Sequence, residues 1–246
     1  MDRSIYVAMT GATQILRAQD VASHNLANAS TTGFKSQLSA FTSVPVLGPG
    51  SPARINAVAQ GLGRDDSQGP LDHTGHALDV AVRGSGWIAV QAPDGSEAYT
   101  RAGNLKLTAD GMLTDAAGNP VLGNGGPISI PDSTTIRIGV DGTISSVPLG
   151  QGPETASQID RIKLVDPDPA QLQEGDDSLL HLAGGGSAEA DPNVQLVPET
   201  LEGSNVNPSS ALVEMIGLSR QYEMQVRSIK TAEDNAGAAT KLLAAS

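Results

Sequence analysis

Two helical patterns at opposite ends of the chain constrain its fold more than any other feature. Residues 3–28 carry a heptad series of apolar residues from Ile5 through Ile15 to Leu26, and no proline interrupts it. Residues 208–246 repeat the pattern, with Asn207 as the predicted N-cap and Pro208 at the first helical position. An amphipathic helix needs a partner for its apolar stripe. We therefore predict that the two helices pair as a coiled coil.

The heptads also predict which side chains form the seam between the helices. In the second helix the numbering gives the a positions, whose polar residues fall toward the end: Leu212, Ser219, Val226, Glu233 and Thr240. Its d positions over the same stretch are all apolar. The packing residues predicted for assembly are Ile15, Leu26, Met215, Tyr222, Val226 and Ile229.

The middle of the chain has a different character. Residues 31–75 contain four prolines and seven glycines without a sustained period, which indicates extended structure. Short alternating runs then follow. Asp94-Gly95, Asp110-Gly111 and Asp141-Gly142 lie between such runs and predict hairpin turns.

The predicted fold class is α+β, with long terminal helices and a central all-β domain on extended linkers. The predicted boundaries are 1–33 for the N-terminal helix of an inner-core domain, 34–75 for a linker, 76–190 for the β domain, 191–207 for a second linker and 208–246 for the C-terminal helix of the inner core.

Composition and charge exclude several classes of function. The net charge of −12 disfavours nucleic acid and anionic membrane surfaces as partners. No run approaches the roughly 20 apolar residues of a membrane span, so we expect none. The first nine residues lack the basic flank and apolar block of a cleaved secretory signal. The sequence has no cysteine, which excludes disulfides and thiolate metal sites.

The search for catalytic chemistry yields no candidate. His73 and His76 could face a common ligand, but they lie in a polar segment beside glycine. We expect no catalytic, cofactor-binding or metal site. A secreted enzyme is the weakest alternative, because it would need two carboxylates held about 5–10 Å apart in a groove, and the sequence singles out no such pair.

Three ordered blocks carry a family resemblance. The first is residues 23–35, at the end of the first helix, where Asn25 and Asn28 lie three apart on one helical face. The second spans residues 78–104 and includes Trp87 and Arg101. The third spans residues 201–207 and includes the second helix through residues 220–223. These blocks resemble the signatures of flagellar rod and hook proteins; the signature positions are Asn25, Leu26, Asn28, Ser30, Thr31, Gly33, Phe34, Gly203, Ser204, Asn205 and Asn207.

The resemblance implies a function. Members of that family pair their terminal helices into an inner tube, display a β domain outside it and stack helically beneath the hook. They leave the cell through the flagellar type III export apparatus without a cleaved signal. The chain is then expected to be a structural subunit of the proximal part of the periplasm-spanning rod. Its partners would be copies of itself and other rod and axial proteins. A distal rod protein and a secreted coiled-coil adaptor are the alternatives.

Overall fold

The computed structural model describes residues 4–45, 55–131, 133–148, 150, 155–175 and 177–244. The chain divides into two compact units. Unit 1 comprises Met1–Ala29, Ser36–Asp65 and Val206–Ser246, and unit 2 comprises Ser30–Lys35 and Asp66–Asn205. Each unit is thus built from segments that are far apart in sequence.

Two long helices form the main part of unit 1. Helix α1 covers Ser4–Ala27 and helix α2 covers Pro208–Ala244. Asn207 accepts hydrogen bonds through Oδ1 from the backbone N–H groups of Ser209 (3.0 Å) and Ser210 (3.2 Å). The predicted N-cap and the two terminal helices are therefore confirmed. Neither of the described helices is long and apolar enough to cross a bilayer.

The helices bury side chains against each other. Ile15, Ala18 and Ala22 of α1 form one cluster with Leu218 of α2, and Tyr222 packs against its edge. The two alanines are small, which lets the helix backbones approach closely. The apolar stripe of α1 is thus covered by α2 over this stretch.

The buried line of α2 is offset by one residue from the predicted a positions. Ala211, Leu218 and Ala232 are buried, whereas Leu212, Ser219 and Val226 are exposed. The chemistry of residues 218 and 219 explains this offset. Because Leu218 is apolar and Ser219 is polar, rotating the helix by one position buries the leucine and leaves the serine in water.

Unit 1 also contains a β-hairpin, within the segment 34–75 that reads as extended structure in the sequence. Strand β1 (Gln37–Pro45) pairs antiparallel with strand β2 (Ile55–Arg64), with a register shift between Leu38 and Ser39. Both strands contact α1. An isolated two-stranded hairpin is marginal in water, so contact with the helix helps to hold it.

Unit 2 is antiparallel β structure. Its strands are β3 (Leu71–His73), β4 (Val80–Arg83), β5 (Trp87–Gln91), β6 (Glu97–Thr100), β7 (Lys106–Leu107), β8 (Leu113–Thr114), β9 (Ser133–Ile138), β10 (Thr143–Pro148), β11 (Ser157–Arg161), β12 (Leu164–Val165), β13 (Leu172–Glu174), β14 (Leu180–Leu182), β15 (Gln195–Pro198) and β16 (Thr200–Glu202). A five-stranded sheet has the order β12-β5-β6-β14-β13, and a three-stranded sheet has the order β11-β10-β9. Pairs β15-β4, β16-β3 and β7-β8 complete the described strands.

The three predicted hairpin turns are confirmed. Asp94-Gly95 lies between β5 and β6, Asp110-Gly111 between β7 and β8, and Asp141-Gly142 between β9 and β10, and each strand pair is antiparallel. The larger core cluster of unit 2 is aliphatic, and a second cluster contains Trp87 and Tyr99. The fully buried side chains of the larger cluster include Val80, Val82, Ile88, Val90, Leu113, Ile128 and Ile144.

Candidate assembly site

The first signature asparagine fixes the start of β1 in unit 1. Asn25 Nδ2 donates to the Gln37 carbonyl oxygen (2.9 Å), and the Gln37 N–H donates to Asn25 Oδ1 (2.8 Å). This paired contact imitates one step of a β ladder. Asn28 Nδ2 donates to the carbonyl oxygen of His24 one turn earlier (3.0 Å), at the end of α1. Both amides therefore bond to backbone, as expected of groups that end a helix.

The last four positions of the N-terminal signature, from Ser30 to Phe34, belong to unit 2. Ser30 and Thr31 are exposed and Phe34 is half-buried. The Gly33 N–H donates to the backbone carbonyl of Glu202 (2.7 Å), and the Phe34 carbonyl accepts from the N–H of Asn205 (3.3 Å). The N-terminal signature thus lies directly on the C-terminal one.

Gly33 is required at its position for two reasons. Its φ is +71°, in the left-handed region, and a Cβ atom there would lie 2.4 Å from the backbone carbonyl carbon of Arg101. Backbone cannot move aside as a flexible side chain can.

We expect Gly33→Ala to lower the free energy of unfolding of unit 2 by about 2–4 kcal/mol, from the backbone conformation and the clash together. Urea denaturation measures this change. Gly184→Ala is the matched control, because nothing lies within 4 Å of a Cβ atom at Gly184. Equal unfolding midpoints for the two variants would contradict the close approach.

Three buried charges meet beside this segment. The Glu202 carboxylate accepts from Lys35 Nζ at Oε1 (2.5 Å) and from Arg101 Nη1 at Oε2 (3.0 Å). The exposed fraction of the side chain is 2% for Lys35, 1% for Arg101 and 0% for Glu202. One carboxylate is therefore shared by two cations out of reach of water.

Backbone groups add further hydrogen bonds to this ion cluster, although the buried Arg101 Nε has no hydrogen-bond partner among the described residues. The Gly69 N–H donates to Glu202 Oε1 (2.9 Å), and Lys35 Nζ donates to the Ser67 carbonyl (2.7 Å). Arg101 Nη2 donates to the Gly84 carbonyl (2.8 Å). Burial lowers the pKa of Lys35, while its hydrogen bond to Glu202 and the charge of that carboxylate act in the opposite direction. The carboxylate thus favours the charged amine in a site that otherwise disfavours it.

An aromatic ring covers the guanidinium. Arg101 Cζ lies 4.9 Å from the centroid of the Trp87 ring, within the range of a cation–π contact. Trp87 is the only tryptophan of the chain. Its environment therefore depends on the ion cluster.

The ion cluster joins all three blocks singled out in the sequence. Lys35 comes from the first block, Arg101 from the second and Glu202 from the third. Sequence reasoning quoted these residues as parts of the blocks but missed their contact. Their separations, 167 residues for Lys35 and 101 for Arg101 from Glu202, leave no local signal.

The C-terminal signature surrounds the same place. Ser204 is buried, the Gly203 N–H donates to the Pro70 carbonyl (2.8 Å), and Asn205 Nδ2 donates to the carbonyl (3.3 Å) and hydroxyl (3.2 Å) oxygens of Ser67. Asn207 instead caps α2 in unit 1. The signature positions therefore divide between the two units.

The predicted packing residues differ in exposure. Ile15 is buried; Leu26, Met215, Tyr222 and Ile229 are half-buried; and Val226 is 45% exposed. Only Ile15 and Tyr222 of this set belong to the cluster between the helices. Unit 1 also leaves large apolar side chains exposed on both helices and on β1: Tyr6, Met9, Leu16, Leu38, Phe41, Val44, Leu212, Val213, Ile216, Met224 and Val226.

These features define a class of protein. Paired terminal helices that cover each other only in part, with many apolar side chains left exposed, are typical of a protein that associates with other molecules through its helices. Among the described residues, no group of three or more His, Cys, Asp or Glu side chains could hold a metal ion.

Comparison with known proteins gives the family. Residues 5–35 match the flagella basal body rod protein family, residues 81–146 match the D1 domain of the flagellar hook protein family FlgE/F/G, and residues 197–242 match the C-terminal part of the flagellar basal body rod FlgEFG family. The chain is 43% identical over 252 residues to the flagellar basal-body rod protein FlgF of Salmonella typhimurium and to that of Escherichia coli K12, with both partners covered completely in each case. It is 31% identical to the rod protein FlgG of Bacillus subtilis, over 95% of this chain and 96% of FlgG. This chain belongs to the flagellar basal-body rod and hook protein family.

Proposed function

We propose that the chain is a structural subunit of the bacterial flagellar basal-body rod, in its proximal part, and that it transmits torque by packing helically with other subunits. One observation supports this most directly: the exposed apolar side chains of the helix pair. Val213 and Ile216 on α2 are 70% and 55% exposed, and Tyr6 on α1 is 63% exposed. Burying the exposed part of each aliphatic side chain would gain on the order of 1–2 kcal/mol, and a neighbouring copy can provide that burial.

The division of charge between the units favours the same surface. Unit 2 carries 20 acidic and seven basic residues, a net charge of −13, whereas unit 1 carries seven acidic and eight basic residues, a net charge of +1. Together they give the −12 of the whole chain. Like charge opposes contact between copies of unit 2. Unit 1 is nearly neutral and apolar, so it is the better surface for self-association.

In this proposal the terminal segments 1–33 and 208–246 pair as a coiled coil in the inner core. Residues 76–190 form most of the outer β domain. Strands β15 and β16, in the predicted linker 191–207, belong to that domain as well, because they pair with β4 and β3. The predicted linker 34–75 carries the hairpin of β1 and β2. A contact between different surfaces of successive copies does not close and produces a helical assembly. The partners are copies of the chain and other rod and axial proteins. The subunit reaches the rod through the flagellar type III export apparatus without a cleaved signal, and it needs no cofactor and catalyses no reaction.

Two alternatives make different predictions. A distal rod subunit would use the same helix surfaces at another level of the rod. The chain is 31% identical to FlgG and 43% identical to FlgF, so the comparison favours the proximal position. A secreted coiled-coil adaptor would instead form a closed dimer in solution. Sedimentation of the full-length chain distinguishes the adaptor, because a rod subunit stays monomeric until seeded or grows open-ended aggregates.

A point substitution on α2 tests the assembly surface. We expect Val213→Asp to abolish swimming when it is the sole copy in the cell, because a carboxylate would have to be desolvated in the contact between subunits. The matched control is Ser219→Asp, which places the same charge at an exposed polar position of the same helix. Swimming-zone diameter and the amount of subunit in purified basal bodies are the measurements.

The variants also have to fold. Because Val213 is 70% exposed, the helix content and urea midpoint of Val213→Asp should match those of the wild type. If Val213→Asp cells swim as well as Ser219→Asp cells, this surface of α2 takes no part in assembly.

A further inference from the structure

We propose that Asn124 is a site of spontaneous covalent modification in the folded protein, where its side-chain amide is lost through a cyclic imide formed with the backbone nitrogen of Gly125. Water is the only other reactant. The inference goes beyond the proposed rod function and does not depend on it.

The sequence meets the first requirement of this reaction, an unhindered nitrogen next to the asparagine. Asn124-Gly125 is the only Asn-Gly pair in the chain. Because glycine has no Cβ atom, the Gly125 nitrogen approaches the side-chain carbonyl carbon of Asn124 with little steric resistance. A side chain on the following residue would obstruct that approach.

The structure meets the second requirement, which is freedom of the two reacting groups. Residues 124–126 form the tip of a loop that is closed by the hydrogen bond from the Gly123 N–H to the Gly126 carbonyl oxygen (2.8 Å). Asn124 and Gly125 are both exposed. Within the part of the chain that the structure describes, neither the Asn124 side chain nor the Gly125 N–H makes a hydrogen bond. The reaction therefore breaks no existing contact.

The three Asp-Gly turns of unit 2 have the opposite arrangement. An aspartate followed by glycine forms the same imide with loss of water, so these turns are the natural comparison. In each of them the glycine N–H is held by a carbonyl oxygen: Gly95 donates to Ala92 (2.9 Å), Gly111 to Thr108 (3.0 Å) and Gly142 to Gly139 (3.0 Å). The nitrogen that would attack is thus occupied in all three turns.

Two of these aspartates are also poor acceptors of the attack. The Ser96 hydroxyl donates to Asp94 and lowers the pKa of that carboxyl group, and the Thr143 hydroxyl does the same for Asp141. An ionised carboxylate resists attack by a nucleophile, whereas the neutral amide of Asn124 does not. The structure therefore singles out residue 124 among the four pairs.

The reaction proceeds in two steps. The Gly125 nitrogen loses its proton and bonds to Asn124 Cγ, and the Cγ–Nδ2 bond breaks, so that the amide nitrogen leaves with that proton as ammonia. Water then opens the imide at either of its two carbonyl groups. One product is aspartate, and the other is isoaspartate, in which the main chain runs through Cγ. Both carry a carboxylate, so each conversion adds one negative charge.

The strands beside the tip are held by contacts that do not involve it. The Leu122 N–H donates to the Ala89 carbonyl (2.9 Å), the Leu122 carbonyl accepts from the Lys163 N–H (2.9 Å), and the Ile128 N–H donates to the Val121 carbonyl (3.0 Å). The conversion therefore changes the tip of the loop while the β core stays in place.

Incubation of the full-length chain in mildly alkaline buffer tests the site. Peptide mapping with isoaspartate-specific enzymatic methylation is the measurement. We expect isoaspartate to accumulate at residue 124 and to stay at its starting level in the three turns, at Asp94, Asp110 and Asp141.

Two variants provide the controls. A Cβ atom at Gly125 would meet nothing within 4 Å, and the φ of Gly125 is not positive, so Gly125→Ala should keep the urea midpoint of the wild type. We expect this variant to convert more slowly by on the order of tenfold, because the methyl group hinders ring closure. Asn124→Gln should abolish the conversion, because the longer side chain would have to form a larger ring.

The chain unfolded in guanidinium chloride gives the reference rate for a loop without structure. We expect Asn124 in the folded chain to convert within about tenfold of that rate, as for a segment that opens at little cost in free energy. The proposal is overturned if folding slows the conversion by more than this, if isoaspartate appears first at an Asp-Gly turn, or if Gly125→Ala converts as fast as the wild type.

Discussion

Arg101→Ala is expected to lower the free energy of unfolding of unit 2 by about 3–5 kcal/mol. Arg101 is among the largest fully buried side chains of the described residues. Its removal leaves the Glu202 carboxylate with one cation fewer, deprives the Gly84 carbonyl of a donor and uncovers a face of the Trp87 ring. The loss of a buried ion-pair partner and the cavity act in the same direction.

Urea denaturation followed by tryptophan fluorescence measures this effect. Because Trp87 is the only tryptophan and lies against Arg101, the signal reports on unit 2 alone. The expected decrease in the urea midpoint is on the order of 2 M. Arg137→Ala removes the same side chain from an exposed position of the same unit, and it should shift the midpoint by less than about 0.5 M. Similar midpoints for the two variants would mean that the ion cluster contributes little to stability.

Deletion of residues 212–246 is expected to abolish motility while unit 2 stays folded. The deletion removes nearly all of α2, so Ile15, Ala18 and Ala22 lose the surface that covers them. It also removes the exposed apolar side chains of α2 from the proposed assembly surface. Unit 2 consists of residues 30–35 and 66–205, all of which remain.

Two measurements separate these outcomes. The truncated chain as sole copy should give no swimming zone, and a plasmid carrying the full-length chain should restore it. The purified truncated chain should keep a cooperative urea transition in Trp87 fluorescence. Swimming cells with the truncated chain alone would refute the role of α2 in assembly, and a missing transition would show that unit 2 depends on α2.

The sequence predicted the features that local patterns encode. The helices follow from apolar spacing and from the Asn207-Pro208 start, and the three Asp-Gly turns follow from the need of tight turns for those residues. Each of these signals is contained within a few neighbouring residues. The structure confirms them at the positions where the sequence places them.

The remaining features depend on partners that lie far apart in the chain. Glu202 and Lys35 look like surface residues in the sequence, and only the pairing of β16 with β3 brings the carboxylate to the lysine. The hairpin of β1 and β2 lies in a segment where prolines and glycines interrupt the alternation of apolar and polar residues that would indicate a strand. The offset in α2 between the predicted a position Ser219 and the buried Leu218 follows from helix rotation against α1. A heptad count on one helix does not contain that information.

The separation of Lys35 and Glu202 along the chain has an entropic consequence. The ion pair closes a loop of 167 residues, and ordering a loop that long costs about 4–5 kcal/mol in chain entropy. The backbone ladder between Leu71 and Glu202 already brings the distant ends of the polypeptide together. The strands therefore meet most of the entropic cost, and the ion pair closes only the much shorter loop between Lys35 and Leu71.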